Sequence, residues 1–157
     1  MGGRNITQKP NFKSQTITIH PIGYVERDEQ DDKLSGDELR ARPVRIVLDP
    51  SLTDALMGLE PGRDIVVLFY LHQSTSYDLQ LHPRGDPSRS LRGLFATRTP
   101  RRPNPIALTT ARVRDIEDNV LEVIGLDALD GSPVVDIKVY AEVFDTPYTG
   151  VRPSNGD

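Results

Sequence analysis

The sequence predicts a mainly β protein, built as a small antiparallel β-barrel with one or two short helices. Three observations lead to this fold class: several short segments alternate polar and apolar residues or are rich in β-branched residues, turn residues separate these segments, and a single segment has the apolar spacing of a helix. Short strands joined by frequent turns are typical of barrels. No glycine-rich phosphate loop follows a strand, so a Rossmann-type fold is not expected.

The N-terminal part of the chain predicts a tail, a strand and a long loop. Residues 1–15 mix glycine, asparagine, glutamine, lysine and proline, which indicates a disordered tail. Residues 16–22 alternate polar and apolar side chains, so we expect a strand with Ile17 and Ile19 facing inward. Residues 27–43 are charged and lack an apolar period, which predicts a long loop.

The only clear helix signal lies between two predicted strands. Residues 44–48 predict a strand, and the apolar, β-rich residues 65–71 predict a central strand buried on both faces. Between them, Asp49 is suited to cap a helix and Pro50 to occupy its first position. The apolar residues that follow share one face of a short helix; they are Leu52, Ala55, Leu56 and Leu59.

The rest of the chain has the patterns of two more strands and a hairpin. Residues 78–82 alternate in the manner of a strand. Residues 109–116 and 120–126 flank the turn residues 117–119, which predicts a hairpin with a three-residue turn. Residues 134–140 form the last predicted strand.

Length and composition predict one domain without disulfides. A chain of 157 residues is long enough to bury a core; we place the domain at 16–145 and a flexible tail at 146–157. The absence of cysteine excludes disulfides and thiolate metal sites, and we expect no metal. No apolar run reaches the length of a membrane span and no signal-peptide pattern is present, so we expect a cytoplasmic protein.

The charge is unevenly distributed along the chain. The net charge is −4, but residues 82–114 contain eight arginines and one acidic residue, which gives +7 there and −11 for the remainder. This asymmetry predicts a cationic face, the alternative being a solvated basic loop. The arginines expected to contact RNA phosphates are Arg84, Arg89, Arg92, Arg101 and Arg102.

Residues 93–108 are the stretch that is hardest to explain by packing alone. Three prolines fix φ and remove three backbone donors, which predicts a stiff, mostly non-helical loop. Arg98 lies on this loop together with the arginine pair 101–102. Guanidinium groups held in fixed geometry suit an anion or a carboxylate, although an ordinary surface turn is the alternative.

Residues 95–106, Phe-Ala-Thr-Arg-Thr-Pro-Arg-Arg-Pro-Asn-Pro-Ile, resemble the signature of the TrmO family, also called TsaA-like or YaeB-like. Residues 69–73 and 125–138 are similar to the same family, and the resemblance covers about residues 19–145. It implies an S-adenosylmethionine-dependent tRNA adenosine N6-methyltransferase built on a small β-barrel. It also implies a homodimer, which we expect because an open barrel would leave sheet edges exposed.

The resemblance also implies which residues bind the cofactor. They are His72, Gln73, Arg98, Leu108, Asp127, Ala128, Leu129 and Asp130. Their chemistry is suitable, because carboxylates can bind ribose hydroxyls and an ammonium group, while an arginine can bind the carboxylate of the methionine moiety. Asp130 precedes Gly131, so a turn-forming role is the alternative for this residue.

The sequence does not identify a general base, so the catalytic residues remain unassigned. His72 could orient the cofactor or take a proton, although a structural hydrogen bond is the more usual role for a histidine at the end of a buried strand. Asp136 is the second candidate. It shares one face of a strand with Lys138, so a surface ion pair is the alternative.

The leading functional hypothesis is methyl transfer to N6 of threonylcarbamoyladenosine beside the anticodon of tRNA. The sulfonium donor has a neutral leaving group, so the protein mainly aligns the reactants and excludes water. The alternatives are a non-catalytic module that binds S-adenosylmethionine or RNA, and a methyltransferase acting on a small molecule or a protein.

Overall fold

The computed structural model describes residues 15–148 and Gly150, so most of the two predicted tails lies outside the described residues. Within this described part, two short α-helices are present, α1 (Gly36–Arg40) and α2 (Glu142–Asp145). The described strands are β1 (Gly23–Glu26), β2 (Val44–Leu48), β3 (Asp64–Tyr70), β4 (Gln80–Leu81), β5 (Arg92–Gly93), β6 (Ile106–Glu117), β7 (Val120–Ile124) and β8 (Pro133–Val139).

Six of these strands close into an antiparallel barrel in the order β1-β2-β7-β6-β3-β8, and β1 pairs with β8 to complete it. The strands β4 and β5 form a separate two-stranded sheet. The predicted fold class, a small antiparallel β-barrel with one or two short helices, is confirmed. The closure also corrects one expectation, since the barrel is not open and the six strands of its wall are paired on both sides.

The core fills the inside of the barrel with alternate residues of each strand. On β3 these are Ile65, Val67 and Phe69, all buried. Val66 faces outward yet is only 5% exposed, whereas Tyr70, at the end of the strand, is 42% exposed. The prediction of a strand buried on both faces therefore holds for the first part of β3 and fails at its end.

The predicted strand at residues 16–22 is wrong. These residues are not part of a strand, and Ile17 is 83% exposed. Ile19 is exposed as well. The barrel begins at Gly23, where a Cβ atom would lie 2.2 Å from the carbonyl oxygen of Val47. Gly23 lies opposite Leu48, the last residue of β2, so the residues that precede Gly23 have no β2 residue to pair with.

The predicted loop at residues 27–43 contains two helical segments. A 3-10 helix spans Glu29–Lys33, and α1 follows it. The backbone N–H of Glu38 is bonded to the Ser35 hydroxyl, and the Glu38 carboxylate accepts from the Ser35 N–H. This capping box was visible in the sequence as Ser-x-x-Glu, but the helix is shorter than two turns and shows no apolar period.

Three other local predictions need correction. The helix after Asp49 is a 3-10 helix over Pro50–Leu56, although Asp49 does cap it by accepting from the Ser51 N–H at 2.9 Å. The strand at 78–82 is reduced to the two residues of β4. The turn between β6 and β7 has two residues, because β6 continues to Glu117 and Asp118 adopts a left-handed conformation with φ 51°.

The antiparallel order places three connections at one end of the barrel. The strands β1, β3 and β7 end there, and β2, β6 and β8 begin there. We call this end the upper rim. It carries the connections formed by residues 27–43, 71–105 and 125–132. All the residues predicted to bind the cofactor lie in two of these connections, except Leu108 at the start of β6.

Candidate functional site

At the upper rim, hydrogen bonds link the segments that carry the predicted cofactor residues, although these segments are distant in sequence. The long 71–105 connection is closed on itself, since the Leu71 N–H donates to the Pro105 carbonyl at 2.7 Å. The Ser74 hydroxyl donates to the Pro100 carbonyl at 3.0 Å. These bonds hold the turn after β3 against the proline-rich stretch that leads into β6.

His72 joins this turn to the loop between β7 and β8. Its Nδ1 atom lies 3.3 Å from the Ser132 hydroxyl, and Ser132 is buried, whereas the histidine is exposed at the rim. Which of the two groups donates depends on the tautomer of the ring. This contact supports the structural role of His72, and the exposed ring remains available to a ligand. Gln73 is exposed in the same turn.

The loop formed by residues 125–132 carries the two predicted carboxylates. The Thr109 hydroxyl donates to Asp127 Oδ1 at 2.7 Å, which anchors Asp127 to β6. Asp130 Oδ1 accepts from the Arg27 backbone N–H at 2.7 Å. Both carboxylates are half-buried at the rim. Gly131 has φ 69°, a left-handed conformation that favours glycine. Asp130 therefore precedes a turn, which agrees with the turn-forming role that was its alternative.

The two other members of this loop differ in what they could offer a ligand. Ala128 is 1% exposed and its side chain packs in the barrel core, so it could contact a cofactor only through its backbone. Leu129 is half-buried and lies between the two functional candidates in sequence. The loop thus combines carboxylates, apolar surface and main-chain groups within four residues.

Arg98 connects the proline-rich stretch to β6. Its Nη2 atom donates to the Leu108 carbonyl at 2.5 Å, while the arginine as a whole is exposed. The bond fixes one side of the guanidinium and leaves the planar group at the rim, where a carboxylate could bind it. Leu108 is itself exposed on the outer face of β6.

A cleft of about 910 Å³ opens beside Arg98. Its lining includes four arginines, Arg84, Arg89, Arg92 and Arg98. We call it the arginine cleft. One acidic side chain lies nearby: Asp86 pairs with Arg89 Nε at 3.3 Å. Hydrogen bonds from the Ser88 hydroxyl and N–H hold the pKa of Asp86 below its usual value, so this carboxylate stays ionised and offsets part of one arginine charge.

Four other arginines of the basic stretch do not line the arginine cleft. Arg102 donates to the Thr97 carbonyl at 3.1 Å and lies 5.9 Å from the centre of the Phe95 ring, so it stiffens the proline-rich loop. Arg101 is exposed outside the cleft. On the barrel wall, Arg112 pairs with Asp64 at 2.7 Å and Arg114 with Glu122 at 3.6 Å.

Asp136 lies on the outer face of β8, not at the rim. It is paired in register with Leu68 of β3. One carboxylate oxygen contacts Lys138 Nζ at 2.6 Å, and the other accepts from the Ile137 N–H at 2.9 Å. This geometry supports the surface ion pair and weakens Asp136 as a candidate base.

Comparison with known proteins agrees with this geometry. Residues 34–146 match the family model of the tRNA-methyltransferase O N-terminal domain. The chain belongs to the TrmO family. This confirms the family predicted from residues 95–106, and with it the predicted class of S-adenosylmethionine-dependent tRNA methyltransferases.

Relatives of this TrmO-family chain include proteins from archaea and eukaryotes. A probable S-adenosyl-L-methionine-binding protein of Methanocaldococcus jannaschii is 35% identical over 133 residues, which cover 82% of this chain and 96% of the relative. The human tRNA (adenine(37)-N6)-methyltransferase is 32% identical over 158 residues, covering 92% of this chain and 35% of the human protein.

A solved structure shows the same fold. The crystal structure of TrmO from Pseudomonas aeruginosa is similar with a TM-score of 0.63 and 29% identity, covering 91% of this chain. This chain spans 64% of that structure. The comparison therefore relates the barrel of this TrmO-family chain to the larger part of the bacterial protein.

The sequence interpretation missed Arg27, which follows β1 directly. Its side chain is buried and donates to main-chain carbonyls of the 125–132 loop. Residues 27–43 are rich in charged residues, and the sequence does not show which of them are buried. A buried arginine can be recognised only when its hydrogen-bond partners are known. The one available signal was Asp31 at i+4, which does form the ion pair.

The structure shows neither a metal cluster nor a membrane helix among the residues it describes. Within residues 15–148, no group of three or more histidine, aspartate or glutamate side chains is arranged to hold a metal ion. The described helices are also too short and too polar to cross a membrane.

Proposed function

We propose that this TrmO-family protein transfers a methyl group from S-adenosylmethionine to N6 of threonylcarbamoyladenosine beside the anticodon of tRNA. One observation carries the proposal. Arg98 belongs both to the connected set of predicted cofactor residues at the upper rim and to the lining of the arginine cleft. A cofactor at the rim and an RNA in the cleft would therefore be neighbours, as methyl transfer between them requires.

The cofactor proposal follows from the chemistry of the rim. The carboxylates of Asp127 and Asp130 suit ribose hydroxyls or the ammonium group, and Arg98 suits the carboxylate of the methionine moiety. Leu108 and Leu129 supply apolar surface, and His72 and Gln73 close the rim on the side of β3. The archaeal relatives named as S-adenosyl-L-methionine-binding proteins support this assignment.

The acceptor proposal rests on the arginine cleft and on the human relative, which is named a methyltransferase of tRNA adenine N6. RNA binding is mostly electrostatic, so an exposed cluster of arginines can hold the phosphates beside the target base. A cytoplasmic location is part of this proposal, because tRNA is modified and used there.

The reaction needs little acid–base catalysis from the protein. The N6 nitrogen forms a bond to the methyl carbon, the carbon–sulfur bond breaks, and S-adenosylhomocysteine leaves as a neutral thioether. The carbamoyl group makes the N6–H more acidic than in plain adenosine, so a weak base or water can accept the proton. Among the two candidates, the exposed His72 is better placed than Asp136, which Lys138 engages.

The purified protein is expected to bind S-adenosylmethionine, and Arg98→Ala should weaken that binding by about 1.5–3 kcal/mol, the usual value of a charge-assisted hydrogen bond. Isothermal calorimetry measures both affinities. The matched control is Arg101→Ala, which removes the same charge from the same exposed loop outside the cleft.

These titrations distinguish a protein that does not bind the cofactor from one that binds it without using Arg98. If the wild type binds neither S-adenosylmethionine nor S-adenosylhomocysteine, the cofactor proposal is wrong. If the wild type binds and Arg98→Ala binds equally well, cofactor binding stands but Arg98 is not part of the cofactor site.

We also propose a homodimer, as the family resemblance implies. The wall of the closed barrel leaves no open sheet edge for a partner subunit to cover. The support that remains is apolar surface, since Tyr70 and Leu108 are exposed on the outer faces of two paired strands and Phe144 is exposed on α2. Light scattering at micromolar concentrations should give twice the mass of the chain, and a monomer mass throughout that range would contradict the proposal.

A further inference from the structure

Arg27 is a buried arginine whose side-chain N–H groups donate hydrogen bonds to main-chain carbonyls of two different connections. Its side chain is 1% exposed. Nε donates to the Ala128 carbonyl at 3.1 Å and Nη2 to the Leu126 carbonyl at 2.9 Å. Nη1 donates to the Leu39 carbonyl in α1 at 3.3 Å. The guanidinium thus joins the 27–43 connection to the 125–132 loop.

The charge of this guanidinium is balanced inside the protein. Asp31 lies 3.7 Å from Arg27 Nη1 and is almost as deeply buried, and it also contacts Arg42 Nη1 at 2.5 Å. A buried charge is tolerated only when it is paired and its hydrogen bonds are made, and both conditions are met here. The planar arrangement of donors lets one side chain hold three carbonyls in fixed relative positions.

Main-chain contacts strengthen the same connection. The Arg27 N–H donates to Asp130 Oδ1 at 2.7 Å, and the Gly131 N–H donates to the Val25 carbonyl at 2.8 Å. At the other end of the loop, the Gly125 N–H donates to the Arg40 carbonyl at 3.0 Å. The 125–131 segment is therefore held at both ends by residues 25–40, with the Arg27 side chain between these contacts.

We infer that Arg27 is a positioning residue that sets the geometry of the cofactor loop formed by residues 126–130. This inference rests on the proposed function, because it takes that loop as part of the S-adenosylmethionine site. Arg27 itself is too deeply buried to touch the cofactor. Its side chain acts through the carbonyls of Leu126 and Ala128, and its backbone N–H holds the carboxylate of Asp130 at the rim.

Calorimetric titration of the full chain with S-adenosylmethionine tests this role, because it reports affinity and stoichiometry separately. A variant that merely unfolds part of the sample lowers the stoichiometry and keeps the dissociation constant. A displaced loop raises the dissociation constant and keeps the stoichiometry. For Arg27→Met we expect at least about a tenfold rise in the dissociation constant with unchanged stoichiometry.

Two further variants sharpen the test. Arg27→Lys keeps the buried charge beside Asp31 but cannot hold three separated carbonyls with one ammonium, so its dissociation constant should also rise. Arg112→Met is the matched control, since Arg112 is also ion-paired but lies on the barrel wall opposite Asp64, and its affinity should equal that of the wild type.

The outcomes are distinct. Wild-type affinity in Arg27→Lys, or a lower stoichiometry with unchanged affinity in Arg27→Met, overturns the positioning role and leaves the proposed function intact. If Arg27→Met does not fold, Arg27→Lys alone decides. A wild type that does not bind S-adenosylmethionine removes the proposed cofactor site and this inference together.

Discussion

Replacing Arg84 and Arg92 together by glutamate is expected to abolish tRNA binding at physiological salt while S-adenosylmethionine affinity stays nearly unchanged. Both arginines line the arginine cleft and are exposed. Each reversal removes a phosphate contact and adds a repulsive charge. Neither residue belongs to the hydrogen-bonded set at the rim, and salt screens the field of exposed charges, so the reversals should act on the RNA more than on the cofactor.

A salt titration of tRNA binding measures this effect. The logarithm of the wild-type affinity should fall linearly with the logarithm of the salt concentration, with a slope of about −0.7 to −0.9 per phosphate contact. At salt concentrations low enough for the double variant to bind, its slope should be shallower by the amount that corresponds to about two phosphate contacts.

The matched control reverses two cations elsewhere, Arg63→Glu and Lys138→Glu. It changes the net charge by the same amount, but Arg63 precedes β3 at the opposite end of the barrel and Lys138 lies on the outer face of β8. It should retain tRNA binding. Equal losses in both double variants would show that total charge matters rather than the cleft, and wild-type binding by the Arg84/Arg92 variant would remove the cleft as the RNA site.

Phe69→Ala is expected to destabilise the protein by about 3–5 kcal/mol, the usual cost of deleting a buried phenyl ring and leaving a cavity. Phe69 is among the largest fully buried side chains and lies in β3 directly before the rim. Domains of this size are stable by about 5–15 kcal/mol, so much of the folded population could be lost at 37 °C. Urea unfolding followed by circular dichroism gives the free energy of unfolding.

The neighbouring residue provides the control. Tyr70 follows Phe69 on the same strand but faces outward and is exposed. Measured at a concentration low enough for light scattering to give the monomer mass, Tyr70→Ala should therefore change the free energy of unfolding by less than about 1 kcal/mol. A loss of similar size in both variants would contradict the assignment of the inner and outer faces of β3.

The barrel could be predicted from the sequence because its strands carry their own signals. The apolar run of β3 and the paired segments of β6 and β7 are β-rich and are bounded by turn residues, so pattern and structure agree there. The pattern failed at residues 16–22, because alternation alone does not create a strand edge for them to pair with. It failed at α1, because a five-residue helix is too short to show an apolar period.

The candidate site was predictable in its residue types and only partly in its geometry. The family motif pointed to Arg98 and to the loop with Asp127 and Asp130, and the topology brings these to one rim. The sequence did not reveal Arg27, since its partners are main-chain carbonyls about a hundred residues away in the chain. Nor did it separate Arg102, which stiffens the loop, from the arginines that line the cleft.

We propose above that this TrmO-family protein methylates threonylcarbamoyladenosine in tRNA, an activity that can be measured with purified components. The most direct measurement of this activity is an assay in which the purified protein is incubated with isotope-labelled S-adenosylmethionine and with tRNA that either carries or lacks threonylcarbamoyladenosine. The nucleosides are then analysed by mass spectrometry. We expect one labelled methyl group on threonylcarbamoyladenosine, and no labelled adenosine in the tRNA that lacks this modification. Retained S-adenosylmethionine binding with no labelled nucleoside in either tRNA would contradict the claim.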